Sequence, residues 1–120
     1  MVNTKKIYTV YCSYPYTKDP KGTTAEINKK CKEIYEATIP NGNDLILLIP
    51  HNVFDHVYDF PVGDSNSWMS ILELGLIERC DIFAFDPANV STGCHWEKTF
   101  AELIGKPITT YAELKEGYRP

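Results

Sequence analysis

A short, uninterrupted apolar run in the middle of the chain limits most strongly how the chain can fold. Residues Leu45–Pro50 read Leu-Ile-Leu-Leu-Ile-Pro and follow the turn sequence Asn41–Asn43. A continuous apolar run between turn signals is typical of a strand covered on both faces, as the strands of a parallel sheet are. The run is far too short to span a bilayer, which takes about 20 apolar residues.

Further strand and helix patterns alternate along the chain. The predicted strands lie at Ile7–Cys12, Leu45–Pro50, Asp81–Asp86 and Pro107–Tyr111, and the predicted helices run from Thr23 to before Pro40, from Trp68 to about Arg79 and from Ser91 to about Ile104. Strands that alternate with helices through short connections imply βαβ crossovers. We therefore predict an α/β fold: one three-layer Rossmann/flavodoxin-like domain over residues 1–120, with a small, mainly parallel sheet. Ligands of such sheets bind beyond the carboxyl ends of the strands, which places the loops after Cys12, Pro50 and Phe85 around one cleft.

Local signals add detail to this outline. Thr23 and Glu26 have capping-box spacing, which predicts that the first helix begins at this point. Residues 51–66 show no regular pattern and are predicted to form a long loop of the kind that often carries function. The helix from Trp68 is apolar on most sides, which predicts that it is buried or shared with a partner subunit.

The composition excludes several classes of protein. The chain has 120 residues, of which 43% are hydrophobic and 23% charged, and a net charge of −4. This fits one globular domain and not a disordered chain. The acidic balance without a dense Lys/Arg stripe argues against polymeric nucleic acid as the partner, but it leaves a nucleotide open as a small ligand. Four cysteines without a C-x-x-C pair, and no export signal or membrane anchor, predict a cytoplasmic protein with reduced thiols.

Glu97 is the most informative single residue. A helical step of about 100° places it on the same face as Gly93, Phe100, Ala101 and Ile104. An unpaired carboxylate in that apolar stripe would cost about 1–3 kcal/mol or more. Two interpretations stay open: the helix end is exposed or Glu97 pairs with a cation, or else the carboxylate is functional. A functional carboxylate there has a raised pKa or, with a hydrogen-bonding partner, acts as an ionised nucleophile.

The start of the same helix is a candidate anion site. Ser91, Thr92 and Gly93 offer two hydroxyl groups, an open backbone and the positive end of a helix dipole. Serine and threonine are also ordinary helix caps, so a purely structural role stays open.

Other candidates are weaker. Glu73 could support a catalytic carboxylate or reach solvent. Tyr14 and Tyr16 could stack on a base or bind a sugar, and aromatic loop residues also merely pack. Asp86 could hold a sugar hydroxyl or a base, or serve as a turn residue before a proline. The spacing of the cysteines and histidines does not predict a metal site, and no cofactor is indicated.

Three segments together resemble the nucleoside 2-deoxyribosyltransferase-like superfamily. The loop Tyr11–Thr17 resembles its small-residue-plus-Pro-Tyr loop, and Trp68–Asp81 resembles its buried helix leading into a strand. The segment Ser91–Ile108 is similar to its signature S-x-G-x-x-x-E with a later G-K-P. The resemblance covers nearly the whole chain in element order, and the last segment is the specific one.

The resemblance implies roles for individual residues. A glutamate matching Glu97 is the nucleophile that attacks the anomeric carbon of the sugar, and an acidic residue matching Glu73 supports it. Positions matching Ser91 and Gly93 receive the phosphate in the deoxynucleoside 5′-monophosphate N-glycosidases of this superfamily. Ser13, in the loop after the first strand, is expected to contact the substrate together with its neighbouring tyrosines. Homodimers or higher homo-oligomers are implied as well.

We therefore expect an N-glycosidase or 2-deoxyribosyltransferase that acts on a nucleoside or nucleoside 5′-monophosphate without a cofactor or metal. Glu97 would form a glycosyl-enzyme, and Asp86 is the least poor candidate for the acid that protonates the departing base. The alternative is a non-catalytic nucleotide-binding module, and a third possibility is an interaction protein that docks through its apolar helix and the aromatic loop 51–61.

Overall fold

The computed structural model describes residues 6–15, 20–54 and 65–120. The elements are β1 (Tyr8–Cys12), α1 (Pro20–Thr38), a 3-10 turn (Ile39–Asn41), β2 (Leu45–Leu48), α2 (Pro50–Val53), α3 (Ser65–Arg79), β3 (Ile82–Phe85), α4 (Thr92–Leu103), β4 (Ile108–Thr110) and α5 (Tyr111–Lys115). The strands pair in parallel in the order β2-β1-β3-β4. The predicted α/β fold with a small parallel sheet is confirmed.

The strand order creates a crevice between β1 and β3. The chain adds β2 on one side of β1 and β3 on the other, so the sheet changes its direction of growth between these two central strands. Their carboxyl ends are where parallel sheets bind ligands. One more backbone bond, from Ser13 N to Ala84 O at 2.9 Å, ties the chain after β1 to β3 at this edge.

The two faces of the sheet belong to two separate cores. On one face Val10 and Cys12 pack with side chains of α1 and α5. On the other face Tyr11 and Phe83 pack with side chains of α3 and α4. Because successive side chains of a strand point to opposite faces, Ser13 is expected on the same face as Tyr11, toward α4.

Two helix starts differ from the predictions. Helix α1 begins at Pro20, so Thr23 and Glu26 lie inside it and the capping-box prediction is wrong. The proline explains this, since it lacks an amide proton and its fixed φ angle suits the first helical position. Helix α3 begins at Ser65 and not at Trp68. Of the predicted loop 51–66, residues 51–53 lie in α2, residues 65 and 66 lie in α3, and residues 55–64 lie outside the described residues.

The buried face of α4 is turned slightly from the predicted one. Cys94, Glu97 and Ala101 are its buried residues, whereas Gly93 and Ile104 are exposed. Ile104 lies beyond the last helical residue, where the helical projection no longer holds. The important part of the prediction is confirmed, because Glu97 is inside.

No helix among the described residues is long and apolar enough to cross a membrane. Large apolar side chains are exposed on both α3 and α4, among them Ile71 and Leu72 of α3 and Trp96 and Leu103 of α4.

Candidate active site

The carboxyl group of Glu97 is buried against the carboxyl end of the sheet. Only 8% of the residue is exposed. Its helix begins directly after β3 and its loop, with Ser91 as the N-cap that accepts a hydrogen bond from the Cys94 amide at 3.2 Å. Glu97 therefore lies in the second turn of α4, within reach of the end of β1.

Two hydroxyl groups from β1 and its loop hold the Glu97 carboxyl. The Tyr11 hydroxyl donates to one oxygen, Oε2, and the Ser13 hydroxyl donates to the other, Oε1, at 2.9 Å. The Tyr11 ring is fixed by stacking on Phe83, with 5.7 Å between the ring centroids. Donors on both oxygens favour the ionised carboxylate and fix its orientation.

Sequence reasoning included Ser13 and missed Tyr11. The signal was available, because residues 11 and 13 lie two apart at the end of one strand and so point to the same face. What the sequence did not reveal is that this face meets the helix carrying Glu97.

Glu73 of α3 brings a second carboxyl group to Glu97. The two side chains share a hydrogen bond, which requires a proton on one of them. Burial is the largest cause that raises the pKa of Glu97, to about 8, and the nearby Glu73 charge adds to it. The bonds from Tyr11 and Ser13 act in the opposite direction and lower the pKa. Burial and the neighbouring Glu73 carboxyl group therefore favour the protonated form of Glu97, and the two hydroxyl donors favour its ionised form.

A cavity of about 420 Å³ lies between α3 and α4, with these carboxyl groups in its wall. Its lining residues are Glu73, Leu74, Gly93, Trp96, Glu97, Thr99, Phe100 and Leu103. The volume falls in the range of small-molecule sites, roughly 300–1,000 Å³. A Cβ atom added at Gly93 would meet only Ser91 Oγ, at 3.7 Å. Among the described residues, no close contact therefore requires glycine at this position. Glycine is also a poor helix former, so neither packing nor helix propensity explains it.

The loop that carries Ser13 is held from several sides. The Tyr111 hydroxyl donates to Ser13 O at 2.5 Å, and His51 Nε2 lies 3.0 Å from Pro15 O. Burial lowers the pKa of His51, so the ring is neutral and donates to this carbonyl. The Ser13 hydroxyl is thus positioned before any ligand arrives.

Several residues proposed from the sequence lie elsewhere. Tyr14 is buried in the core on the α1 side of the sheet, where its hydroxyl donates to Glu26 at 2.8 Å. Asp86 lines a second cavity of about 320 Å³ on that side, with Lys30 Nζ 3.3 Å from its carboxylate and the Asn89 amide donating to it at 2.8 Å. Burial raises the pKa of Asp86, but these bonds help to outweigh it and hold the pKa below its ordinary value. Tyr16 lies outside the described residues.

The residues of the predicted anion site, Ser91, Thr92 and Gly93, form the start of α4. The Ser91 hydroxyl is occupied in capping α4, and Thr92 and Gly93 are exposed in the first turn. The structure thus brings together Glu97, Glu73 and Ser13, with Gly93 at the wall of the same cavity. It does not bring Tyr14 or Asp86 to them.

The arrangement has a defined chemical capacity. In a buried carboxyl pair, one group can ionise and act as a nucleophile, while the other holds or accepts a proton. Within residues 6–15, 20–54 and 65–120, no cluster of His, Cys, Asp or Glu side chains could hold a metal ion.

Comparison with known proteins adds no assignment. No protein-family model matches the chain, and no curated protein matches it either.

Proposed function

We propose that the protein cleaves the N-glycosidic bond of a nucleoside or nucleoside 5′-monophosphate, or transfers its deoxyribosyl group, with Glu97 as the nucleophile. The observation that carries this proposal is a buried carboxyl group with a hydroxyl donor on each oxygen, in the wall of a mainly apolar cavity large enough for a small ligand. A carboxylate kept in such a place at a cost in desolvation needs a reason beyond packing.

In the proposed reaction, ionised Glu97 attacks C1′ of the sugar and the base departs. The glycosyl ester is then opened by water in a hydrolase or by a second base in a transferase. Tyr11 and Ser13 hold the carboxylate in the attacking orientation. Glu73 accepts the proton of the incoming water, since it is the other carboxyl group in the same wall.

The proposal extends to the assembly and its surroundings. We propose a homodimer or a higher homo-oligomer, because Ile71 of α3 is 71% exposed and Leu72 is exposed beside it. Large apolar side chains of this kind favour a partner surface. We also propose a cytoplasmic location, with which the four buried, unpaired cysteines are compatible.

A non-catalytic nucleotide-binding module is the second candidate. It is favoured by the pKa of about 8 for Glu97, because a carboxyl group that is mostly protonated at pH 7 is a weak nucleophile. Such a module would keep the cavity and its aromatic wall but release no base.

A panel assay separates the candidates. The protein is incubated with nucleosides, deoxynucleosides and their 5′-monophosphates, with and without a second base, and the free base is followed by chromatography. We expect base release from at least one nucleoside class, at a rate well above that in buffer. Binding by calorimetry without base release would support the module, and the absence of both would refute a nucleoside ligand.

Replacing Tyr11 by phenylalanine is expected to move the pH profile of kcat/KM to higher pH. The Tyr11 hydroxyl lowers the pKa of Glu97, so its loss raises that pKa and makes the ionised nucleophile scarcer at pH 7. We expect a loss of about 10–100-fold at pH 7, in line with the loss of a charge-assisted hydrogen bond, and partial recovery at pH 9.

Tyr35→Phe is the matched control, because the Tyr35 hydroxyl accepts a bond from Leu47 N on β2, away from Glu97. An unchanged pH midpoint in Tyr11→Phe would contradict the role given to this hydroxyl.

A further inference from the structure

The cavity beside Glu97 has an unusual charge for a site expected to take a nucleotide. Glu73 and Glu97 stand in its wall, and none of its described lining residues is a lysine or arginine. Lys98, in the next position of α4, is engaged elsewhere: its ammonium group lies 2.6 Å from Glu102 and 5.3 Å from the centroid of the Phe85 ring. The charged side chains of the described wall are therefore acidic, and they attract positive charge.

Aromatic rings stand in the same wall. Trp96 lines the cavity and is 66% exposed, and Phe100 lines it from the next turn of α4. An exposed tryptophan face attracts a cation, and it also stacks on flat rings. Carboxylates combined with an aromatic face form a recognition surface for a flat, positively charged ring.

The departure of the base also favours a positively charged substrate. A neutral base leaves the sugar easily only when an acid protonates it. Asp86, the sequence-based candidate for that acid, lines the other cavity and is paired with Lys30. A base that already carries a positive charge departs as a neutral molecule and needs no acid.

We propose that the preferred substrates are nucleosides whose base carries a fixed positive charge, as pyridinium and N-alkylated purine nucleosides do. This inference rests on the proposed function, because it names the substrate class of that same site. The cationic ring would lie against Trp96, where its charge would favour the ionised form of the neighbouring Glu73 and Glu97 carboxyl groups.

The proposed step balances without a co-reactant other than water. Glu97 forms a C1′–O bond while the C1′–N bond breaks, and the electron pair of that bond neutralises the ring nitrogen. Water then attacks C1′, the ester bond returns its electron pair to the Glu97 carboxylate, and Glu73 takes the proton and releases it to solvent. The sum is cationic nucleoside plus water giving sugar, neutral base and one proton.

The test compares charged and uncharged nucleosides. Nicotinamide riboside and its 2′-deoxy analogue are the cationic probes, and inosine and 2′-deoxyinosine are the neutral ones. Each kcat/KM is divided by the rate in buffer, because cationic nucleosides are intrinsically more labile. We expect the corrected value to be at least about tenfold higher for the cationic probes, which is the effect of roughly 1.4 kcal/mol.

Variants show whether the wall causes the preference. Glu73→Gln and Trp96→Leu are expected to reduce the preference severalfold, and Glu102→Gln, which removes a carboxylate on the exposed side of α4, to leave it unchanged. Binding of reduced nicotinamide riboside, which has nearly the same shape and no charge, is expected to be at least about tenfold weaker than that of the cationic form.

The test distinguishes a failure of this inference from a failure of the proposed function. Corrected cleavage of inosine or 2′-deoxyinosine equal to or above that of the cationic probes would overturn this inference and leave the proposed function intact. Cleavage of no nucleoside at all would overturn the proposed function, and this inference with it.

Discussion

Glu97→Gln is expected to lower the rate of base release at least about 10³-fold. The amide keeps the size of the side chain, and its oxygen still accepts from Tyr11 or Ser13, but it cannot form and release a glycosyl ester. The loss should appear in kcat with little change in KM, because the cavity wall is otherwise preserved. Single-turnover base release, followed by chromatography on the best substrate of the panel, measures it.

Glu102→Gln is the matched control for this experiment. Glu102 lies on the same helix, is exposed, and pairs with Lys98 in an i,i+4 arrangement at 2.6 Å, so its replacement should leave kcat within about twofold, as for most surface changes. Base release by Glu97→Gln within about tenfold of the unmodified protein would exclude a nucleophilic glutamate at position 97.

The same Glu97→Gln substitution is expected to stabilise the protein at alkaline pH. The pKa of Glu97 is about 8 in the folded protein against an ordinary value of 4.5, so the folded state binds the proton more tightly than the unfolded state. Stability from this source is fully present below about pH 4.5 and is lost as the pH rises toward 8 and above. The groups that face Glu97 and set this balance are Glu73, Tyr11 and Ser13.

Glutamine at position 97 has no charge to desolvate, so its contribution does not change with pH. Relative to the unmodified protein, the free energy of unfolding of the variant should increase between about pH 5 and pH 8, by at most about 1.4 kcal/mol per pH unit. Urea unfolding at pH 5.5, 7 and 8.5 measures the difference, and Glu102→Gln should show no such trend. A variant that is less stable at pH 8.5 by the same amount as at pH 5.5 would contradict the raised pKa.

Together, the two expected results would mean that Glu97 lowers the stability of the folded protein at alkaline pH and is required for base release. An inactive variant that is more stable at alkaline pH is the ordinary sign of a catalytic group held at a cost in folding free energy. A purely structural glutamate would give the opposite result, because its loss would destabilise the protein and leave base release unchanged.

Much of the fold could be predicted because its signals are local. The apolar run of β2, the β-branched and aromatic run of β1 and the spacing of apolar residues in the helices each reflect burial within one element. The start of α1 could not be placed by the capping box, because Pro20 offered an equally local and stronger signal. Boundaries depend on such competition between neighbouring residues, and element types do not.

The sequence also singled out Glu97, because a charge in an apolar stripe is visible on a helical projection. It did not reveal the Tyr11 hydroxyl on that carboxyl group, and it grouped Asp86 and Tyr14 with a cleft that they do not line. Those relations depend on which face of the sheet each side chain takes. A shift of one residue along a strand reverses that face.

The sequence by itself determined the order of strands and helices and the presence of a carboxyl group where an apolar side chain would pack better, since both follow from the periodicity of single elements. Only the tertiary structure decided which partners that carboxyl group has. Residues 11, 13, 73 and 97 meet because the strand order sets β1 beside β3 and α3 packs against α4. Contacts between residues so far apart in the chain arise from packing, and no local pattern encodes them.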